Sequence, residues 1–323
     1  MTAGAELIAD GGAAAAAEEF FRSPPFLEAE GVTHTLRIVG EDGELRAPVI
    51  VRAIPDSDEV DAISPYGYPG LATAGDVPEV MHPMRHANSG TSLDPAQVDF
   101  SATGLVSVFL RHTLGEPPLG GASERNVVQI ADPQLPRKSR GSDRNQINRN
   151  RRAGYEVGVV PGPATSAEER AGFLAAYEQT MRRTGAADHY FFAAAYFDRI
   201  LSSPLAWLAT ARAPGAEVAA ASIAVRSDGF LHYYLSGSAD AQLRDSPMKN
   251  VVAALVDFAA EQSLPLNLGG GLARGDRLEE FKRGFANREQ AWHTSEIVCD
   301  PAGYERLSAG RDPSGFFPAY RAS

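Results

Sequence analysis

The sequence predicts an α+β fold in which mixed, mainly antiparallel sheets are flanked by helices. Three observations lead there. The stretch from Val32 to Ile54 alternates polar and apolar residues on both sides of Glu41-Asp42-Gly43-Glu44, as an antiparallel hairpin does. Three β-rich runs, 206–213, 218–226 and 230–236, follow one another with short turns between them. An amphipathic stretch, 247–262, then separates the third run from the short apolar Leu266-Asn267-Leu268, which implies one parallel pairing across a helix.

Taken in order, residues 1–30 read as a flexible N-terminal arm, since Gly11-Gly12 and the alanines after them offer little to pack. After the hairpin, Ser64-Pro65-Tyr66-Gly67-Tyr68-Pro69-Gly70 is too rich in Pro and Gly for regular structure and unusually aromatic for a connector. Strands are expected at 104–110 and 126–130. Ser139 or Ser142 is positioned to cap a polar helix ending at Gly154, ahead of a strand at 155–160. Ser166 and Glu169 form a capping box for a helix running to about Thr184 and stopped by Gly185. A helix at 193–201 ends before Ser202-Ser203-Pro204. Ser246 is the expected N-cap of the helix at 247–262, with Pro247 in its first turn. A helix at 278–285 and a strand at 290–298 close the series.

The 323 residues carry 30 basic and 41 acidic side chains, a net charge of −11, with 44% hydrophobic residues. That composition fits a folded chain with a sizeable core and discourages broad sticking to nucleic acid or anionic membrane. Residues 137–152 depart from it. Arg137, Lys138, Arg140, Arg144, Arg149, Arg151 and Arg152 stand there against one acid, Asp143, so the segment is +6 and the rest of the chain −17. Cys299 is the single cysteine, which excludes an intrachain disulfide and a cysteine-based zinc site. No apolar run approaches the ~20 residues of a membrane span, and the N-terminus lacks the features of a signal peptide, so the expected location is cytoplasmic. Phosphate-binding-loop, nucleophile-elbow and His-Glu-x-x-His signatures are missing. His82 and His86 have helical metal-ligand spacing, but Pro78 and Pro83 argue for a loop, and no metal site is expected.

The residues from Leu264 to Phe285 carry most information. Leu-Pro-Leu-Asn-Leu-Gly-Gly-Gly, a polar loop containing Asp276, and then Phe281-Lys282 with Gly284-Phe285 resemble the C-terminal motif of Fem-type (FemABX-like) aminoacyl-tRNA-dependent transferases within the GNAT-like acyltransferase superfamily. Tyr66-Gly67-Tyr68-Pro69 and the segment from Leu231 to Asp257 add to the likeness, which extends from about residue 30 and is strongest over the last ~90 residues. The resemblance implies tandem GNAT-like subdomains, placed at 31–153 (acceptor side) and 154–323 (acyl-donor side). It also implies transfer of an amino acid from aminoacyl-tRNA to an amine of a peptide or peptidoglycan-precursor acceptor.

In that reading Lys282 stabilises the oxyanion of aminolysis and Phe281 shapes the aminoacyl pocket, against the plainer alternative of a solvated lysine on an amphipathic helix. Ser246, Lys249, Gly269, Gly270 and Gly271 are donor or phosphate contacts, with Lys249 equally open to being a surface lysine. Coenzyme A is less favoured as donor, because 238–245 lacks the glycines of the usual pyrophosphate loop. The basic segment suits tRNA phosphates or is simply a solvated helix face. Tyr66 and Tyr68 line the acceptor cleft or pack a turn. Asp276, Glu279 and Glu280 are the acids nearest in sequence to serve as base. No metal or redox cofactor is expected, and aminoacyl-tRNA is a co-substrate with acyl-coenzyme A as its alternative. A catalytically silent binding module is the reading from a different class.

Overall fold

The computed structural model describes residues 3–322 apart from 17, 41–42, 74–92, 116, 118, 216 and 313–314. His82 and His86 lie outside the described residues. Contacts divide the chain into two compact units, residues 1–125 with 291–323 and residues 126–290. The sequence reading instead divides the chain after residue 153.

The first unit contains β1 (Ala3–Ile8), α1 (Pro24–Ala29), β2 (His34–Gly40), β3 (Gly43–Ala53), β4 (Val60–Ile63), β5 (Ala72–Thr73), β6 (Val98–Asp99), β7 (Leu105–Arg111) and the start of β8 (Ser123–Ala131). The expected hairpin is β2 and β3, antiparallel in register from His34 opposite Val49 to Gly40 opposite Gly43. The described residues of the expected arm, 3–30 apart from 17, are not loose. β1 pairs antiparallel with β2, and Phe20, Phe21 and Phe26 are fully buried with ring centroids 5.3 Å apart. The alanine-rich composition hid this, because three aromatic rings spaced along a short segment give no helical or strand period yet bury a large apolar area.

The second unit continues from β8 through α2 (Gly141–Arg152), β9 (Glu156–Pro161), α3 (Ala167–Thr184), α4 (Ala194–Leu201), β10 (Ala206–Arg212), β11 (Val218–Ser227), β12 (Phe230–Ser238), α5 (Met248–Glu261), β13 (Leu266–Asn267) and α6 (Arg277–Arg283). β14 (Arg288–Val298) and α7 (Pro301–Leu307) follow. The strands of the second unit lie in the order β8-β13-β12-β11-β10-β9. All neighbours are antiparallel except β12 and β13, the parallel pair expected across α5. β11 (VAAASIAVRS) is small and apolar on both faces and buried nearly throughout, as a strand packed by α3 and α5 must be.

The capping box of α3 forms as expected, and Gly185 ends that helix at φ +63°. Two expected caps do not form. Arg140, not Ser139 or Ser142, precedes α2, with Asp143 in the first turn. Pro247 precedes α5, because Ser246 adopts a left-handed φ of +47°, incompatible with the extended backbone an N-cap residue needs.

Candidate active site

Topology brings three features to one end of the second unit. β12 and β13 are parallel, so their C-terminal ends share a side. There α5 starts after β12, and Gly269-Gly270-Gly271 leaves β13 toward α6. The parallel pairing lasts only two residues, Leu231 with Leu266 and His232 with Asn267, while β12 runs on to Ser238. A register shift opposite Ile223 and Ala224 leaves Tyr234 as an extra residue in β12, a bulge of the kind that turns a strand away from its neighbour.

The triglycine is held by its backbone. Gly269 sits at φ +75°, and its carbonyl accepts from the Gln129 amide of β8 at 3.1 Å. The Gly271 carbonyl accepts from Asn126 Nδ2 at 3.1 Å. A Cβ on Gly270 would meet Asn126 Nδ2 at 2.6 Å and the Val127 carbonyl at 2.8 Å, so the close approach requires glycine. The Gly270 carbonyl accepts from Lys282 Nζ at 2.6 Å.

Lys282 is 8% exposed, so it is not a solvated lysine on a helix face. Burial lowers its pKa to about 8, against an upward pull from Asp276. Below that pH it is a cation in a poorly solvated place, with one N–H spent on Gly270 and two left to donate. Phe281 stacks edgewise on the buried Phe285 at 5.6 Å and packs against the core.

The three acids take structural positions. Asp276 is the N-cap of α6. Its carboxylate accepts from the amides of Leu272 (2.6 Å), Ala273 (3.0 Å) and Glu279 (2.7 Å), bonds that hold its pKa below the usual carboxylate value. A carboxylate so engaged is a weak proton acceptor. Glu279 is buried, accepts from the Gly275 amide at 2.7 Å and pairs with Arg283. Glu280 is exposed and faces Arg140 at 3.7 Å.

The basic segment meets this end of the unit at α2. Arg140 donates to the Glu280 carbonyl of α6 at 3.0 Å. Asp143, 6% exposed, binds Lys249 Nζ of α5 at 2.9 Å, and a Cβ on Gly284 would lie 2.9 Å from the same carboxylate. Asn150 donates to Asn250 Oδ1 at 2.7 Å and to the Asp245 carbonyl at 2.8 Å, fixing α2 to the start of α5. Lys249 is therefore in an ion pair. Ser246 Oγ approaches the Leu243 carbonyl at 3.5 Å. Asp143, Asn126, Asn150 and Asn250 carry no motif, and sequence reasoning passed over them.

Lys282, Phe281, the three glycines, Ser246, Lys249 and the segment 137–152 thus all belong to the second unit. Tyr66 and Tyr68 belong to the first. Tyr68 packs between Phe21 and Trp292 at 5.7 and 5.4 Å, while Tyr66 is exposed and its amide donates to Glu30 Oε2 at 2.8 Å. A cavity of about 540 Å³ runs along α5 beside Tyr155, Val157, Val159 and Phe258, and is lined by neither Lys282 nor the glycines. Among the described residues no cluster of three metal-ligating side chains occurs, and no helix is long and apolar enough to cross a membrane.

Residues 137–283 match the family model of the acetyltransferase (GNAT) domain. No curated protein sequence matches the chain significantly. Among solved structures, FemX superposes with a TM-score of 0.61 at 11% identity, over 88% of this chain and 93% of that one. A C-terminal domain described as lysylphosphatidylglycerol synthetase from Agrobacterium fabrum gives 0.53 at 13% identity, over 86% and 87%. A structure described as L-PGS from Bacillus licheniformis gives 0.52 at 13% identity, over 82% and 84%. Residues 137–283 are thus similar in sequence to the GNAT acetyltransferase domain, and over most of its length the chain's α+β fold is similar to that of FemX.

Proposed function

We propose that the protein is an aminoacyltransferase that moves an amino acid from aminoacyl-tRNA to an amine of a peptide or peptidoglycan-precursor acceptor. The observation that carries this reading is Lys282, a buried ammonium held at the triglycine turn. The acceptor amine attacks the ester carbonyl, the new C–N bond forms, and the C–O bond to the tRNA ribose breaks. The amine's proton ends on the departing hydroxyl. Charge that builds on the carbonyl oxygen meets the free N–H groups of Lys282, a preorganised donor in a dry site. The resemblance to Fem-type transferases in the motif around Lys282 supports this donor. So does the basic segment 137–152, in which Arg140, just before α2, donates to the Glu280 carbonyl of the helix that bears Lys282.

Acyl-coenzyme A as donor is the second reading, favoured by the GNAT domain match. Against it, 240–245 forms a 3-10 helix and not a glycine loop before α5. Incubation with a pool of charged tRNAs, scored for the amino acid lost when an acceptor peptide is present, tests the proposal. Loss of one amino acid with amide formation is the expected result. Thiol release from acyl-coenzyme A without tRNA would overturn the tRNA reading, and consumption of neither donor would leave a binding module.

A further inference from the structure

His232 is buried at 2% exposure, and nothing in the transfer chemistry uses it. Its surroundings define its state. Nε2 lies 3.1 Å from the Ser227 carbonyl, which can only accept, so Nε2 carries the proton and Nδ1 is a bare acceptor. Nδ1 lies 3.1 Å from Asn267 Nδ2. The other end of that amide is also decided, because Oδ1 accepts from the Gly269 amide at 2.8 Å. A carbonyl at one end and an N–H at the other thus fix the ring tautomer and the amide orientation together. His232 and Asn267 are direct register partners in the parallel pair of β12 and β13, which is why their side chains meet.

Next along the chain, Gly269 takes its φ of +75°, and the carbonyl of Gly270 turns to Lys282 Nζ at 2.6 Å. We propose that His232 is a positioning residue that, through Asn267, locks the triglycine turn and so aims the Lys282 ammonium. The physical reason is directional. An amide side chain alone can bond Gly269 in several rotamers, whereas an acceptor fixed in the sheet behind it leaves one. The ring is buried and neutral, in keeping with a pKa held down to about 4 by desolvation, with Asp228 and the Ser227 carbonyl as the groups opposing that shift.

The inference deepens the transferase reading of Lys282, but its test does not need a substrate. His232→Asn keeps an acceptor at the Nδ1 position and loses the donor to Ser227. His232→Gln keeps the donor and loses the acceptor at the δ position. Both are polar and of similar size, so a general packing role predicts equal effects. The measurement is the titration of Lys282 in the free protein, read by ¹³C-methyl NMR after reductive methylation, with thermal melts to confirm folding. His232→Gln is expected to raise the Lys282 midpoint by about one unit as water reaches the loosened turn, and His232→Asn to leave it near wild type. Asn267→Leu, which removes the whole link, should match Gln. Equal midpoints in the Asn and Gln variants, or a wild-type midpoint in Asn267→Leu, overturn the inference.

Where transfer is assayed, Gln is expected to lower kcat about tenfold with KM unchanged, and Asn to retain it. Transfer that fails in the wild type while the midpoints separate refutes the transferase reading alone. Transfer that succeeds while the two variants behave alike refutes this inference alone.

Discussion

Replacing Lys282 with methionine separates a catalytic role from a structural one, because the two predict opposite signs for stability. Burial lowers the Lys282 pKa from 10.5 to about 8, and a shift of that size corresponds to about 3 kcal/mol of strain on the charged form at neutral pH. Methionine matches the stem in length and needs no solvation, so that strain vanishes. The variant loses the bond to the Gly270 carbonyl, worth about 1–3 kcal/mol for a charged donor, and leaves that carbonyl without Nζ. Lys282→Met is thus expected to be as stable as the wild type or up to about 2 kcal/mol more stable at pH 7, measured by urea titration. Its transfer rate is expected to fall about 10²–10³-fold, the usual loss of an oxyanion donor. The stability difference also depends on pH with a fixed sign. The strain is complete below the folded pKa of about 8 and is relieved as the lysine deprotonates, so wild-type stability should gain on the variant between pH 8 and 10.5. A variant that is several kcal/mol less stable yet transfers at the wild-type rate would refute the argument, and so would a difference flat across that pH range.

On the proposed mechanism the same ammonium is expected to set the pH dependence of turnover. With an acceptor whose amine is already deprotonated, kcat should decline as pH rises through about 8, and a plateau to pH 10 would remove Lys282 from the rate-limiting step. In the second unit Gly237→Ala should destabilise the fold by more than about 2 kcal/mol in denaturant titration, since the new Cβ would strike the backbone of Ala176 and Tyr177 in α3. Binding of charged tRNA should weaken with salt along a log–log slope of about −3, and Arg149→Ala should reduce the magnitude of that slope by about one. A slope unchanged in Arg149→Ala would take the end of α2 out of the contact.

The sequence disclosed elements wherever local chemistry decided them. The reciprocal bonds of Ser166 and Glu169, the left-handed Gly185 and the alternating hairpin are properties of a few adjacent residues. The stretch around Lys282 stood out because glycines, an aspartate and aromatic spacing travel together there, whereas the capping role of Asp276 appears only in the structure. What escaped depended on contacts distant in sequence. Asn267 and His232 meet only through strand register, 35 residues apart, and Asn150 meets Asn250 at a separation of 100. The expected cap at Ser246 failed for the same reason. The Asp245 carbonyl just before it is held by Asn150 and Gln146 of α2, and the chain turns at Ser246 with a positive φ.

The charge pattern changes meaning once partners are assigned. Arg137 pairs with Asp257 and Arg140 with Glu280, while Arg144 bonds the Ser139 carbonyl of its own segment. For Lys138, Arg149, Arg151 and Arg152, all exposed, no acidic partner is found among the described residues. Two of the seven cations are therefore neutralised within the unit, and three of the rest gather in the last turn of α2, where the helix dipole favours positive charge. On the proposed tRNA reading that turn would offer about three phosphate contacts, which is where the expected slope of about −3 comes from. A grip this small suits one end of an RNA and leaves the acidic remainder of the chain to repel the rest, so affinity would rest on the aminoacyl end reaching Lys282 as much as on charge.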